Sequence, residues 1–183
     1  VFRGEPDARG AIAAGVDVAA FSGDKLIGGP QCGILVGSAE AIARCASHPL
    51  MRALRPDKLT MAALDATLRL HQEQRTRRTI PTIRMLGETA TVLQERANHL
   101  AAAIGGDVVQ TIGRVGGGSL PLEEIVSYAV VVPAPEGPEV CAAWLRTIDP
   151  PIVARVADGR VLLDVLAMSD RDLEDVATAV GGP

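Results

Sequence analysis

Aromatic side chains are nearly missing from this 183-residue chain, which holds one Trp, one Tyr and two Phe. A single-strand nucleic-acid platform of stacked rings is excluded on that ground. An excess of positive charge is also missing: 18 Lys and Arg stand against 22 Asp and Glu, for a formal net charge of -4. The chain as a whole is not a polyanion-coating surface, and any nucleic-acid contact is local. The three cysteines, Cys32, Cys45 and Cys141, show neither close pairing nor C-x-x-C spacing. They imply a reducing compartment and no disulfide scaffold. Apolar runs stop well short of the roughly 20 residues that cross a bilayer. Arg3, Glu5, Asp7 and Arg9 stand where a signal peptide has its apolar core. The expectation is a cytoplasmic protein without a membrane partner.

What is present is enough apolar residue, 48% of the chain, to build a core. Gly15 to Phe21 is a short apolar run that reads as a strand delivering Ser22 to Lys25 at its carboxyl end. Cys32 to Gly37 follows the Gly28-Gly29-Pro30 turn and lacks polar alternation, which predicts a second strand buried on both faces, as in a parallel sheet. Too little chain precedes the first strand to supply its neighbours, so the sequence reads as the C-terminal part of a longer protein.

Glu40 to Cys45 reads as a short helix, and Asp57 or Thr60 as the cap of the next, in which Met61, Leu64, Leu68 and His71 form one apolar stripe. Pro81 suits a first helical turn, and Ile83, Leu86, Ala90, Leu93, Ala97 and Leu100 carry one face as far as Gly105-Gly106, predicting a single long linking helix. Strands are expected at Val108 to Ile112, Ile125 to Val132, Ile152 to Val156 and Val161 to Val165, and helices at Pro138 to Thr147 and Asp170 to Val180. Asp158-Gly159 is a two-residue hairpin signal. Together these describe a small α/β domain placed after the end of a larger one.

The chemistry-bearing segment is Phe21-Ser22-Gly23-Asp24-Lys25-Leu26-Ile27-Gly28-Gly29-Pro30. A lysine fixed at a strand end in an apolar surround can lose its charge and form an imine with an aldehyde, the reaction that pyridoxal phosphate exploits. Ser22 offers a hydroxyl to a cofactor phosphate, and Gly23, Gly28 and Gly29 let backbone come close to a bound ring. The other reading is a surface ion pair of Lys25 with Asp24, although side chains adjacent on an extended segment point apart. The G-x-x-x-x-G-K-[ST] phosphate loop is absent, so nucleotide hydrolysis is unsupported.

The runs FSGDKLIGGPQCGILVG at 21–37, SHPLMRALRPDKLTMAALDATLRL at 47–70, IPTIRML at 80–86, GGGSLP at 116–121 and DGRVLLD at 158–164 resemble bacterial selenocysteine synthase, L-seryl-tRNA(Sec) selenium transferase. The resemblance covers essentially the whole chain, with the segments in family order. It implies an α/β fold, that of a fold-type-I pyridoxal-phosphate-dependent transferase (aspartate aminotransferase-like). Residues 1–75 would be the C-terminal part of the large cofactor-binding domain, and residues 76–183 a linking helix and the small C-terminal α/β domain. Lys25 matches the cofactor lysine, with Ser22, Asp24, Gly28 and Gly29 around the cofactor. Arg52 and Arg55 match arginines of the anion pocket for selenophosphate, which a guanidinium fork suits.

The activity implied is conversion of L-seryl-tRNA(Sec) to L-selenocysteinyl-tRNA(Sec), by β-elimination of the serine hydroxyl and then addition of selenium. Lys25 is the natural proton shuttle. A homodimer or larger homo-oligomer is implied. The tRNA-binding region, the residue stacked on the ring and the acidic partner of the pyridine nitrogen would lie upstream, so the chain alone is expected to turn over little. Two other readings stay open: a related pyridoxal-phosphate lyase or transferase acting on a small amino acid or amino sugar phosphate, and a noncatalytic assembly module.

Other residues weigh less. His48, in Ser47-His48-Pro49-Leu50, is either an accessory imidazole donor or the maker of a positioning hydrogen bond in a turn. His71 and His99 have no metal-ligand companion at suitable spacing, and no metal is expected. Cys32 reads as small-residue packing. Ser119 lacks a general base or nucleophile elbow and reads as part of a turn. Arg75, Arg77 and Arg78 form the one dense cationic run, read as a solvated face rather than a phosphate-backbone contact.

Overall fold

The computed structural model describes residues 7–116, 119–120 and 123–181. It divides into two compact units, Val1–Arg84 with Val115–Glu123, and Met85–Arg114 with Glu124–Pro183.

The first unit opens with α1 (Ala8–Ala13), capped by the Asp7 side chain on the amide of Gly10. Strands β1 (Val18–Ser22) and β2 (Gly33–Gly37) form an antiparallel pair in which Ser22 stands opposite Gly33 and Val18 opposite Gly37. The expected parallel, doubly buried strands are therefore corrected. The chain returns directly through a loop, which only an antiparallel pair permits, and β2 alternates rather than being buried throughout, with Leu35 42% exposed.

Helices α2 (Ala39–Ser47), α3 (Leu50–Leu54), α4 (Lys58–Gln72), α5 (Thr76–Thr79) and α6 (Pro81–Leu86) follow. Asp57 is the cap of α4: one carboxylate oxygen accepts from the amides of Leu59 and Thr60 at 2.7 and 3.0 Å. The more enclosed positions on α4 are Thr60, Leu64, Thr67 and Leu70, a face rotated from the predicted stripe; Met61 and Leu68 are exposed. Spacing finds a helical face but not which of two adjacent faces is used.

The second unit contains α7 (Ala90–Ile104), β3 (Asp107–Gly113), β4 (Ile125–Val132), α8 (Pro138–Leu145), β5 (Arg155–Ala157), β6 (Arg160–Asp164) and α9 (Asp170–Gly181). The single long helix expected from Pro81 is two helices. Gly87 ends the first, and the Thr89 hydroxyl caps the second by accepting from the Val92 amide at 3.3 Å. α7 ends at Gly105, whose φ of 70° suits glycine.

The sheet runs β3-β4-β6-β5, all antiparallel. Asp158 and Gly159, both at positive φ, turn β5 into β6 as their sequence predicts. β5 is shorter than predicted because the Ile152 amide donates to the Leu145 carbonyl of α8 at 2.8 Å instead of joining the ladder. Val165 leaves the strand for a 3-10 turn, with Asp164 accepting from the Leu166 amide.

Register sorts the two faces. Val130 and Val132 stand opposite Leu163 and Val161 and pack with Leu93, Ala97, Leu100 and Ile104 of α7 and with Leu145, Leu173 and Val176. Each Val, Leu or Ile among them contributes about 1.5–3 kcal/mol on full burial. On the other face Asp164 accepts from Thr111 Oγ1 at 2.7 Å and from the fully buried Ser127 Oγ at 2.6 Å. Among the described residues, the buried hydrophobic side chains of the chain fall in this unit except for Ile80 and Leu120. No described helix is long and apolar enough to cross a membrane.

Candidate lysine site

Lys25 sits in the loop that joins β1 to β2. The loop is closed at its neck by Gly23 N–H donating to the Cys32 carbonyl at 2.9 Å, and again by Gly29 N–H donating to the Gly23 carbonyl at 2.8 Å. Inside it, Gly28 N–H donates to the Lys25 carbonyl at 2.9 Å, closing the turn Lys25–Gly28, with Gly28 at φ 73°. The segment after Ser22 is thus turned rather than extended.

That turn corrects the expectation that Asp24 and Lys25 point apart. Lys25 Nζ donates to Asp24 Oδ2 at 2.9 Å, and the Ser22 hydroxyl donates to Asp24 Oδ1. The Ser22 hydrogen bond first, and then the Lys25 bond, hold the Asp24 carboxyl below the ordinary carboxylate value. The Lys25 side chain is 42% exposed, so its amine is within reach of an incoming carbonyl group, which must displace the Asp24 carboxylate.

The loop is also held from α4 and from Ile80. His71 Nε2 donates to the Ile27 carbonyl at 2.9 Å. A side chain at Gly28 would collide with the Ile80 Cγ2 methyl, one at Gly29 would crowd the Gly23 carbonyl oxygen at 3.2 Å and Thr67 at 3.4 Å, and one at Gly23 would meet Cys32 Sγ at 2.7 Å and the Pro30 carbonyl oxygen at 2.8 Å. The space beside these glycines is filled by the protein's own atoms. Cys32 packs inside the loop, its Sγ 3.5 Å from the Pro30 carbonyl oxygen.

Ser22, Asp24 and Lys25 are therefore brought into one hydrogen-bonded group. Arg52, in α3, and Arg55, just after it, are exposed and do not join that group. His48 Nδ1 accepts from the Leu50 amide at 3.2 Å, the positioning bond of a turn. With Cys45, Leu35 and Leu54 it lines a concavity of about 720 Å³. In the second unit a concavity of about 910 Å³ lies beside Thr111, Arg155 and Asp164. Lys25 lines neither. Arg75 pairs with Glu73 at 3.1 Å, and Arg77 and Arg78 are exposed. Of the glycine-rich segment 116–121, Ser119 and Leu120 are buried, whereas 117, 118 and 121 lie outside the described residues.

His71, Thr67 and Ile80 are the supports that sequence reasoning missed. Nothing local links His71 to a carbonyl 44 residues earlier; an isolated Ile80 just before Pro81, beyond the arginine run, was the one visible signal.

Residues 1–169 match the L-seryl-tRNA selenium transferase (SelA) family. The chain belongs to that family. It is 44% identical to the L-seryl-tRNA(Sec) selenium transferase of Geobacter metallireducens, over 97% of this chain and 41% of that protein. It is 43% identical to the protein of the same name from Escherichia coli strain SMS-3-5, over 91% of this chain and 39% of that protein. The match to the same-named protein of Shigella boydii serotype 18 has the same identity and coverage. The chain thus spans about two fifths of the length of these selenium transferases.

Proposed function

We propose that this chain is the lysine-bearing part of a pyridoxal-phosphate-dependent enzyme of fold type I that converts L-seryl-tRNA(Sec) to L-selenocysteinyl-tRNA(Sec) with selenophosphate. The observation that carries the reading is Lys25, an accessible primary amine fixed in a loop closed by backbone bonds, within a chain whose residues 1–169 match the selenium transferases.

The residues present fit the cofactor at its aldehyde. Lys25 presents a reachable amine, and Asp24, an anion at neutral pH, holds that amine in one place. Ser22 has its proton committed to Asp24 and keeps lone pairs free to accept. Gly28 and Gly29 use their amides within the loop, so their part is to shape the turn that presents Lys25. When bound, pyridoxal phosphate supplies an electron sink that stabilises negative charge at the α carbon of the serine. Lys25 Nζ is the group that moves the proton at that carbon. Arg52 and Arg55 bind the tetrahedral anion of selenophosphate, a task for which two exposed guanidinium forks are suited. The seryl-tRNA, the remainder of the site and a homo-oligomeric assembly belong to the full-length protein.

The test is to incubate the full-length protein with pyridoxal phosphate, reduce with borohydride and locate the modified lysine by peptide mass. The expected result is modification of Lys25. Modification of another lysine with Lys25 untouched sinks the reading, and absence of selenocysteinyl-tRNA formation from seryl-tRNA and selenophosphate sinks the substrate assignment.

A further inference from the structure

The proposed chemistry uses Lys25, Asp24 and Ser22, but it gives no part to the imidazole that holds the far side of the same turn. His71 lies in the last turn of α4 and donates through Nε2 to the Ile27 carbonyl at 2.9 Å. That carbonyl and the Gly28 N–H belong to one peptide unit, and a peptide unit is planar, so fixing one end fixes the other. The other end is the N–H that donates to the Lys25 carbonyl at 2.9 Å. A single rigid plane therefore connects the imidazole to the backbone of the lysine.

The plane has an alternative orientation. Gly28 stands at φ 73°, and as a glycine it reaches the opposite sign of φ at little cost, so its own backbone preference does not decide the orientation. Rotating the 27–28 peptide away would remove the hydrogen bond from His71 and the one to Lys25 together. Ile80, 4% exposed, fills the space over the Gly28 α carbon and limits where that carbon can move.

We propose that His71 is a positioning residue for Lys25, acting through the Ile27–Gly28 peptide. The inference rests on the assignment of Lys25 as the cofactor lysine. The imidazole is bonded to the backbone of the turn through the Ile27 carbonyl, and its part is to keep the turn in the form that presents the amine.

The test uses the full-length protein and two variants, His71→Leu, which removes the donor, and His71→Gln, whose amide nitrogen donates from a similar reach. Two readouts are taken. The first is hydrogen exchange at the Gly28 amide without cofactor. The second is the fraction of Lys25 trapped by borohydride at a limiting concentration of pyridoxal phosphate. With one hydrogen bond removed, His71→Leu is expected to speed Gly28 exchange about fivefold and to lower the trapped fraction, while exchange within α7 stays unchanged. His71→Gln is expected to return both toward the parent values. Unchanged Gly28 exchange in His71→Leu with a preserved thermal midpoint overturns the inference. If Lys25 of the parent protein is not trapped at all, the cofactor assignment fails, and Gly28 exchange still decides whether His71 holds the turn.

Discussion

Asp24 divides its two carboxylate oxygens between neighbours on either side, Oδ2 accepting from Lys25 Nζ at 2.9 Å and Oδ1 from the Ser22 hydroxyl. The turn of the chain after Ser22 makes this possible. The carboxylate is thereby a fixed anion beside the one amine to which the proposed chemistry is assigned.

A titration follows from that arrangement. Asp24 is held below the ordinary carboxylate value, with the Ser22 bond as the larger cause. A depressed carboxyl favours the folded arrangement above its unfolded value and loses that contribution as pH falls through the lowered one. The Ser22–Asp24–Lys25 group is therefore expected to be intact at neutral pH and to break below the usual carboxylate range. The carboxyl carbon resonance of Asp24 reports it. Ser22→Ala and Lys25→Ala should each raise the midpoint, the first by removing a hydrogen bond and the second by removing a hydrogen bond and a positive charge, and an unshifted parent midpoint would contradict the structure.

Arg52 and Arg55 supply a functional prediction. Both are exposed, so Arg52→Ala and Arg55→Ala in the full-length enzyme should leave the thermal midpoint unchanged. Each should raise KM for selenophosphate about tenfold or more, the loss expected when a bidentate anion contact is removed. Lysine at either position should restore only part, because an ammonium lacks the fork. Steady-state kinetics with varied selenophosphate check this, and an unchanged KM removes that arginine from the anion site.

Thr89 gives a test of the fold in the second unit. Its hydroxyl accepts from the Val92 amide where α6 gives way to α7. Thr89→Ala should cost about 1 kcal/mol and Thr89→Ser much less. Urea denaturation of the two variants measures the difference, and equal stability would mean that the cap is idle.

Asp164 offers a second. It is the acceptor for Thr111, for the buried Ser127 hydroxyl and for the Leu166 amide. Asp164→Ala strands those donors and should cost about 1–3 kcal/mol, more than Ser127→Ala, which removes one partner and its need together. Equal losses in the two variants would show that the Thr111 and Leu166 bonds contribute nothing.

Much of the second unit was legible in the sequence. The apolar residues of β4 and the Asp158-Gly159 pair state their strand and turn locally, and the bounds of β4 are those read from its residues. The direction of β1 against β2 was not legible, because the same apolar strand serves parallel or antiparallel pairing and the choice lies in how the intervening loop returns. The break between α6 and α7 was hidden by apolar spacing that runs on through Gly87 and Thr89, although Thr89 is a good cap residue. At the candidate site, local chemistry singles out the segment from Ser22 to Lys25, and the structure joins Ser22, Asp24 and Lys25 by hydrogen bonds. The Asp24–Lys25 pair depends on a turn after Ser22 that an extended reading of the segment does not contain, and spacing places His71 on an apolar stripe because its partner is distant in sequence.

The uneven distribution of buried aliphatic side chains has a thermal consequence. Since, among the described residues, nearly all of them belong to the β3-β4-β6-β5 sheet and the elements packed on it, scanning calorimetry of this chain should draw its heat uptake chiefly from that unit. A small aliphatic truncation such as Val161→Ala should then move the main endotherm to lower temperature, while Leu59→Ala, on a side chain 83% exposed, should leave it where it is.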